Sequence, residues 1–235
     1  MDFKKAAAEK AVSFIQTNTV IGLGAGSTMA HIAALLNEKI NKGLKIEILT
    51  SSYATRKLLE GFGINLVEAN RVSSIDIYFD GCDQVDKNLN ALKSGGGIHT
   101  QEKILASMAK EFMIVGDEGK YVNSFDIRYP LVIEILPQAI RYVTSIIEKE
   151  YPGVATSLRI NDKRDGAVLS DNGNYLLDVF FKEWPELSVV NNTVKYITGV
   201  VETSLFYNIA SSFIMGGKDG VRILSKRKVS SRGIV

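Results

Sequence analysis

One polar, glycine-rich segment carries the residue types that could perform acid–base chemistry. Asp80 and Asp83 follow a short hydrophobic run, Lys93 comes just before the glycines 95–97, and Glu102 lies a little further along the chain. A carboxylate can accept a proton as a general base, and an ammonium group can stabilise the negative charge of an oxyanion. The glycines allow the backbone to approach a ligand closely. The segment therefore predicts an enzyme active site.

Each of these residues also has a plain structural interpretation. The aspartates could close a turn after the strand, Lys93 could be a solvated loop lysine, and Glu102 could be an acid placed at a helix N-terminus for the helix dipole. All of these alternatives would have to hold at once in one short segment. Their combination therefore favours the catalytic interpretation.

The surrounding pattern indicates how the segment is positioned. Residues 75–79 read as a strand, so both aspartates fall at its carboxyl end, where ligands bind in α/β folds. A helix is predicted over about 100–110, with Glu102 in its first turn. The helix dipole would stabilise the charged carboxylate there and oppose any rise in pKa caused by burial.

A second glycine-rich loop lies between a short apolar strand (20–23) and a helical stretch (29–40). The loop 24–28 would present free backbone N–H groups and two hydroxyls at the positive end of the helix dipole, an arrangement that suits a phosphate group. A dinucleotide-binding site is disfavoured for two reasons. The third glycine comes one residue earlier than in the G-x-G-x-x-G motif, and no acidic residue ends the next strand, at 45–49. A Walker lysine is also absent, and a tight turn with no ligand is the remaining alternative.

Strands and helices alternate along the first half of the chain, which predicts a parallel, doubly wound sheet. After residue 130 the order becomes strand, helix, two strands and helix, as in a compact α+β unit, and the apolar run 213–217 is predicted to return to the first sheet. We therefore expect a catalytic domain formed by residues 1–126 and 201–235, and a second domain at 127–200. The other predicted elements are a helix at 2–17, a strand at 45–49, a helix at 53–62, and strands at 64–67 and 112–115.

Composition excludes several classes of protein. The 235 residues, 46% hydrophobic and 23% charged, are typical of a globular protein with a substantial core. The net charge of +2 gives no basis for a nucleic-acid partner, because only the tail, at 226–228 and Arg232, has a basic cluster. Cys82 is the only cysteine, so no intrachain disulfide can form. No signal peptide or membrane-spanning run is visible, and we expect a cytoplasmic protein without membrane contact.

Nine short runs stand in order along the chain: GLGAGST (22–28), TSSYAT (50–55), DGCDQVD (80–86), KSGGG (93–97), QEK (101–103), GDEGKYV (116–122), LPQAIRYV (136–143), SDNGNYLLDV (170–179) and ITGVVETSLF (197–206). Taken together, they resemble ribose-5-phosphate isomerases of type A. The resemblance implies a Rossmann-like parallel sheet domain with a smaller ferredoxin-like α+β domain, and no metal or organic cofactor. It also implies interconversion of D-ribose 5-phosphate and D-ribulose 5-phosphate in the non-oxidative pentose phosphate pathway, by a homodimer or homotetramer.

The resemblance also implies a role for individual residues. Glu102 falls at the position of the general base, Lys93 at that of the lysine that stabilises the oxyanion, and Asp80 and Asp83 at those of carboxylates for sugar hydroxyls and ring opening. The implied substrate-binding residues are Lys4, Ala25, Gly26, Ser27, Thr28, Gly81, Cys82, Ser94, Gly95, Gly96 and Lys120.

The chain departs from the family pattern at five positions, which are Ala25, Cys82, Gln84, Ser94 and Gln101. None of these changes removes an ionisable group assigned to the chemistry, whereas Ala25 loses a hydroxyl donor, so substrate affinity is the property affected.

Three other interpretations of the sequence have less support. A sugar-phosphate sensor would need the phosphate loop but not Glu102 with Lys93, and a sugar-phosphate deaminase would need a histidine acid–base pair in the central loop. A metal-dependent isomerase could use Asp80, Asp83 and Asp86, although Lys93 would repel the ion. His31 and His99 are expected to be plain surface or helix-face histidines, and Cys82 a small buried residue rather than a nucleophile.

Overall fold

The computed structural model describes residues 2–161 and 164–226. The basic tail cluster predicted from the sequence lies outside these ranges, apart from Lys226. In chain order the helices are α1 (Phe3–Val12), α2 (Ser27–Asn41), α3 (Tyr53–Gly61), α4 (His99–Met108), α5 (Ile140–Glu150) and α6 (Leu187–Val194). The strands are β1 (Thr19–Leu23), β2 (Ile46–Thr50), β3 (Ile75–Asp80), β4 (Gln84–Val85), β5 (Ala91–Leu92), β6 (Ala109–Asp117), β7 (Leu131–Ile135), β8 (Ala155–Leu158), β9 (Ile160–Asn161), β10 (Arg164–Ala167), β11 (Tyr175–Phe180), β12 (Val200–Thr203), β13 (Leu205–Phe206), β14 (Ser212–Gly217) and β15 (Gly220–Ser225).

A six-stranded sheet forms the larger half of the molecule. Its strands lie in the order β15-β14-β6-β3-β1-β2, and all neighbours are parallel except β15, which pairs antiparallel with β14. Helices cover both faces, so successive residues of one strand enter different cores: Phe79 packs with Met29 and Ile32, whereas Tyr78 packs with Leu105 and Phe112. Burial on both faces explains why these strands read as continuous apolar runs.

A four-stranded antiparallel sheet forms the smaller half. Its order is β12-β7-β11-β8, and the chain passes through it as strand, helix, two strands, helix and strand. This order of elements and of strands is that of a ferredoxin-like unit. The sheet includes β12 up to Thr203, so it extends past residue 200, where the sequence placed the end of the second domain. The predicted α/β class, with a mostly parallel sheet and a smaller α+β unit, is confirmed.

Some elements differ from the sequence-based expectation. The predicted strand at 64–67 is reduced to one bridge, between Ile48 and Leu66, at the free edge of β2. Helix α1 ends at Val12 rather than at residue 17, and Asn18 then has a positive φ of 59° before β1 begins. Strand β15 was not predicted, because it is an edge strand whose residues are mostly exposed and include no buried apolar run. Among the described helices, none is both long and apolar enough to span a bilayer.

Candidate active site

The predicted site residues meet at the carboxyl edge of the six-stranded sheet, beyond the ends of β1, β3 and β6. A cavity of about 340 Å³ opens there, at the point where the chain order of neighbouring strands reverses. Every residue that the sequence assigned to the site lines it except Asp80 and Ser94, which lie directly behind its wall. The lining residues are Lys4, Ala25, Gly26, Ser27, Thr28, Gly81, Cys82, Asp83, Lys93, Gly95, Gly96, Glu102, Val115, Gly116, Asp117 and Lys120.

Lys93 links two carboxylates at the base of the cavity. Its Nζ lies 3.0 Å from Asp80 Oδ2 and 3.3 Å from Glu102 Oε1, and it also donates to the carbonyl oxygen of Gly81. All three ionisable side chains are buried, with exposures of 0% for Asp80, 4% for Glu102 and 8% for Lys93. Two carboxylates therefore share one ammonium group with little exposure to bulk water.

The electrostatics of this cluster favour a proton-accepting Glu102. Burial, followed by the nearby Asp80 carboxylate, raises the pKa of Glu102 to about 8, although Lys93 partly opposes the rise. Burial alone would lower the pKa of Lys93, but Asp80 and Glu102 outweigh it and hold that pKa above its ordinary value. The expected stabilisation of charged Glu102 by the helix dipole is therefore overcome by burial and by Asp80. A carboxylate with such a pKa is a stronger base than an ordinary glutamate.

Asp80 is held in place by donors on three sides. Its Oδ1 accepts from the N–H groups of Gly81 (2.7 Å) and Ala25 (3.2 Å), and its Oδ2 accepts from the Tyr78 hydroxyl (2.7 Å). Gly24 packs against the carboxylate so closely that a Cβ at this position would lie 1.9 Å from Asp80 Oδ1. The strand end and the glycine loop of β1 therefore form one rigid unit.

The other end of the cavity is suited to an anion. Helix α2 begins at Ser27 after Gly26, which has φ 98° and provides no side-chain cap for the first turn. The N–H groups of that turn are left for a ligand at the positive end of the helix dipole. Lys4 extends from α1 and donates from Nζ to Ser27 Oγ at 3.2 Å, and Thr28 is buried at the cavity wall.

The loop that contains the three glycines is bonded to Asp83. The Asp83 Oδ2 accepts from the N–H groups of Ser94 (2.6 Å) and Gly95 (3.1 Å). The hydroxyl of Ser94 donates to the carbonyl oxygen of Pro130 at 2.5 Å, away from the cavity. Of the two glycine N–H groups that the sequence assigned to substrate binding, that of Gly95 is therefore already engaged, and that of Gly96 has no partner in the described parts of the chain.

Helix α4, which carries Glu102, is tied to the smaller sheet at two points. Thr100 Oγ1 donates to the buried carboxylate of Glu134 on β7. Lys103 Nζ donates to Glu202 Oε1 (2.9 Å) and to the carbonyl oxygens of Thr203 (2.6 Å) and Leu205 (2.8 Å). These contacts fix the position of the first turn of the helix, and hence that of Glu102.

The histidines and the cysteine take no part in this cluster. His99, expected on a surface or helix face, is fully buried on α4, and burial lowers its pKa to about 4. His31 is part-exposed, and its Nε2 lies 3.3 Å from Asp2 Oδ2. Cys82 is half-buried in the cavity wall, and burial raises the pKa of its thiol to about 12, so the thiol stays protonated.

Sequence reasoning missed two polar residues of the site. Tyr78 lies two residues before Asp80 on β3, so both side chains project from the same face of the strand. Asp117 ends β6 and lines the cavity, just as Asp80 ends the neighbouring strand β3. Both could have been found from strand periodicity and from the rule that parallel strand ends meet at one edge.

The aspartates do not form a metal-ligand cluster. Asp86 is used within its own turn, where Oδ1 accepts from the N–H groups of Asn88 (2.8 Å) and Asn90 (2.9 Å), and Oδ2 accepts from the Asn90 side chain (2.9 Å). Within residues 2–161 and 164–226, no group of three His, Cys, Asp or Glu side chains is arranged to hold an ion. The site as built offers a strong buried base beside an ammonium group, with an anion-binding helix end opposite, which suits proton transfer next to a carbonyl in a phosphorylated substrate.

Comparisons with known proteins agree with this chemistry. The family model described as ribose 5-phosphate isomerase A (phosphoriboisomerase A) matches residues 47–220. The ribose-5-phosphate isomerase A of Pyrococcus abyssi is 37% identical over 227 residues, covering 96% of this chain and 98% of that protein. The ribose-5-phosphate isomerase of Homo sapiens is 35% identical over 221 residues, covering 92% of this chain and 71% of that protein.

Solved structures give the same result. A D-ribose-5-phosphate isomerase in complex with phospho-erythronic acid superposes with a TM-score of 0.89 at 34% identity, covering 96% of this chain and 98% of the other. The ribose 5-phosphate isomerase A of Methanocaldococcus jannaschii superposes with a TM-score of 0.88 at 33% identity, covering 96% and 99%.

Proposed function

Since this chain belongs to the ribose 5-phosphate isomerase A family and interconverts D-ribose 5-phosphate and D-ribulose 5-phosphate, we propose that it does so by proton transfer through an enediolate, with Glu102 as the base. The observation that carries this proposal is the 3.3 Å contact between Glu102 Oε1 and Lys93 Nζ at the base of the cavity. One carboxylate that reaches both C1 and C2 can move the proton between them. The ammonium beside it can stabilise the oxyanion that develops on the neighbouring oxygen.

The remaining charged groups divide between the two ends of the substrate. Asp80, which the resemblance paired with Asp83 for sugar hydroxyls and ring opening, is fully buried and bonded to Lys93, and we therefore assign it the orientation of the ammonium. Asp83 lines the cavity and is proposed to act on sugar hydroxyls and in ring opening. The first turn of α2, with Lys4, is proposed to bind the C5 phosphate, and Lys120 is proposed to bind a substrate oxygen.

The direct test uses purified protein with ribose 5-phosphate in deuterated water. Ketose should form with solvent deuterium at C1, the carbon that receives the proton, because the base exchanges the proton taken from C2 with solvent before delivering it. The reverse reaction should place deuterium at C2 of the recovered ribose 5-phosphate. Ketose formation without any solvent exchange under all conditions would instead favour a direct hydride shift between C1 and C2.

The pH dependence of kcat/KM should follow Glu102. The base must be ionised in the free enzyme, and burial with Asp80 raises its pKa from the ordinary value of about 4.3 towards about 8. Activity should therefore fall as the pH is lowered through the neutral range and level off above it. A pH profile of kcat/KM gives the apparent pKa of this fall in activity. An apparent pKa near the ordinary value for glutamate would contradict the assignment.

Replacing Thr28 by alanine should raise KM by more than it lowers kcat. A group that binds the unreactive phosphate stabilises ground state and transition state alike, so its loss appears chiefly in KM. Steady-state kinetics of Thr28→Ala, with the distant Thr17→Ala as control, measure the effect. Free ribose should also be a poor substrate, and equal kcat/KM values for ribose and ribose 5-phosphate would remove the phosphate role from this loop.

Further properties of the protein are proposed from the site and from family membership. We propose that no metal takes part, since the Lys93 ammonium occupies the space between Asp80 and Glu102 where an ion would need to lie. Family membership supports a homodimer or homotetramer, a cytoplasmic location and a place in the non-oxidative pentose phosphate pathway. We also propose that the six-stranded and four-stranded sheets are the cores of separate domains, catalytic and smaller respectively.

A further inference from the structure

Arg159, a residue of the smaller sheet, reaches the glycine loop of the active site. It lies between β8 and β9, and its backbone is fixed on both sides, because its N–H donates to Leu176 O and its carbonyl oxygen accepts from the Val168 N–H, each at 2.8 Å. The side chain is mostly buried, with an exposure of 18%. A guanidinium that is mostly shielded from solvent and carried on a fixed backbone is a rigid donor.

The guanidinium joins two different partners along its two edges. Its Nε and Nη2 donate to the two carboxylate oxygens of Asp178 on β11, at 3.1 and 2.5 Å. Its Nη2 and Nη1 also donate to the carbonyl oxygens of Ser94 and Gly95, both at 2.9 Å. Asp178 neutralises the charge and sets the plane of the guanidinium, which then presents two donors to two successive carbonyl groups.

These two bonds determine which way the loop N–H groups point. In a trans peptide the carbonyl and N–H vectors are opposed, so a carbonyl held on Arg159 directs the N–H of the next residue away from it. Holding the Ser94 carbonyl directs the Gly95 N–H to Asp83, and holding the Gly95 carbonyl directs the Gly96 N–H away from Arg159. A run of three glycines has no side chains to oppose rotation of these peptide planes.

We propose that Arg159, oriented by Asp178, is a positioning residue that keeps the Gly96 N–H available to substrate and Asp83 in its reactive orientation. The proposal rests on the proposed role of Asp83 and Gly96 in substrate binding. Lys93 is held independently by its backbone bond to Ser204 O (3.0 Å) and by its side-chain contact with Asp80. The loss of Arg159 should therefore weaken substrate binding more than it slows the proton transfer.

The test compares three variants with the wild type. Arg159→Met removes every hydrogen-bond donor while keeping a long side chain. Arg159→Lys keeps the positive charge but cannot donate to both carbonyl groups. Asp178→Asn keeps the shape of the side chain but loses the charged, bidentate pairing with Arg159. We expect KM for ribose 5-phosphate to rise about 5- to 30-fold in Arg159→Met with a smaller fall in kcat, and by less in the other two. Arg56→Met is the matched control, because Arg56 is also paired with a carboxylate, on Glu68, but lies on α3 away from the loop.

Amide hydrogen exchange in the substrate-free protein gives a second, independent readout. The N–H group of Gly95 should exchange faster in Arg159→Met, because the Ser94–Gly95 peptide plane that holds it on Asp83 is freed. This measurement needs no turnover, so it tests the contact with Arg159 even if the assigned substrate role were wrong.

Opposite results would overturn the proposal. An unchanged KM together with unchanged exchange in a folded Arg159→Met protein would remove the positioning role. A lowered melting temperature with KM and exchange both unchanged, in any of the three variants, would show that the arginine only stabilises the smaller sheet. If Arg159→Met did not fold, the same two readouts in Asp178→Asn would decide between these outcomes.

Discussion

Replacing Glu102 by glutamine should leave a folded protein that has lost most of its turnover. The amide oxygen can still accept from Lys93 at the 3.3 Å contact, but an amide cannot take a proton from carbon. Removing a placed general base typically costs about 10²–10⁴-fold in rate. We expect kcat to fall by that order, KM to change little, and solvent deuterium exchange at C2 to be lost together with isomerisation.

Stability provides the internal check on Glu102→Gln. The wild-type carboxylate is buried beside Asp80, and both burial and Asp80 disfavour its charged form, so a neutral amide should not lower the melting temperature. Glu60→Gln, on the exposed side of α3, is the control for loss of a carboxylate as such. Turnover like that of the wild type in Glu102→Gln would show that another group is the base.

Replacing Lys93 by methionine should reduce kcat far more than substrate affinity. Its ammonium acts on charge that exists mainly in the transition state, and loss of one such donor typically costs about 10²–10³-fold. A second effect adds to the first, because Lys93 lowers the pKa of Glu102. Without Lys93, the fall of kcat/KM at low pH should therefore begin at a higher pH, because less of the Glu102 base is ionised at neutral pH.

The same experiment separates Lys93 from a metal ion. Wild-type activity should be unchanged by EDTA, and Lys93→Met should not be restored by magnesium or manganese. Lys110→Met is the matched control, since Lys110 is ion-paired with Asp76 on the exposed surface. Loss of wild-type activity on chelation, with recovery on addition of either ion, would transfer the role of Lys93 to the aspartates.

Local patterns predicted most of the fold. The apolar runs before Gly24 and before Asp80 became β1 and β3, because strands buried on both faces have continuous hydrophobic sequences. Elements at the sheet edges were harder to predict. Residues 64–67 form only one bridge despite their apolar pattern, and β15 forms although most of its residues are exposed. At these edges the apolar pattern of a segment therefore does not determine whether it forms a strand.

The site was predictable where it depends on strand ends and not where it depends on distant contacts. Asp80 and the glycine loop after β1 lie together because the parallel strands β3 and β1 end at one edge of the sheet, and Lys93 and Glu102 follow Asp80 closely in the chain. The pKa of Glu102 could not be foreseen, because it depends on a burial that only the packed fold creates. The contact of Arg159 with Ser94 joins residues far apart in sequence, and no local pattern around Arg159 indicates it.

The close packing of Gly24 on Asp80 also bears on attempts to change the substrate by directed evolution. Any side chain at position 24 would place its Cβ within 1.9 Å of Asp80 Oδ1, so it would displace the carboxylate that orients Lys93. A mutant library for shorter or longer sugar phosphates should therefore keep Gly24 constant. Diversity belongs at Ala25, which lines the cavity and whose only bond to Asp80 is made by its backbone N–H, so that bond does not depend on the side chain.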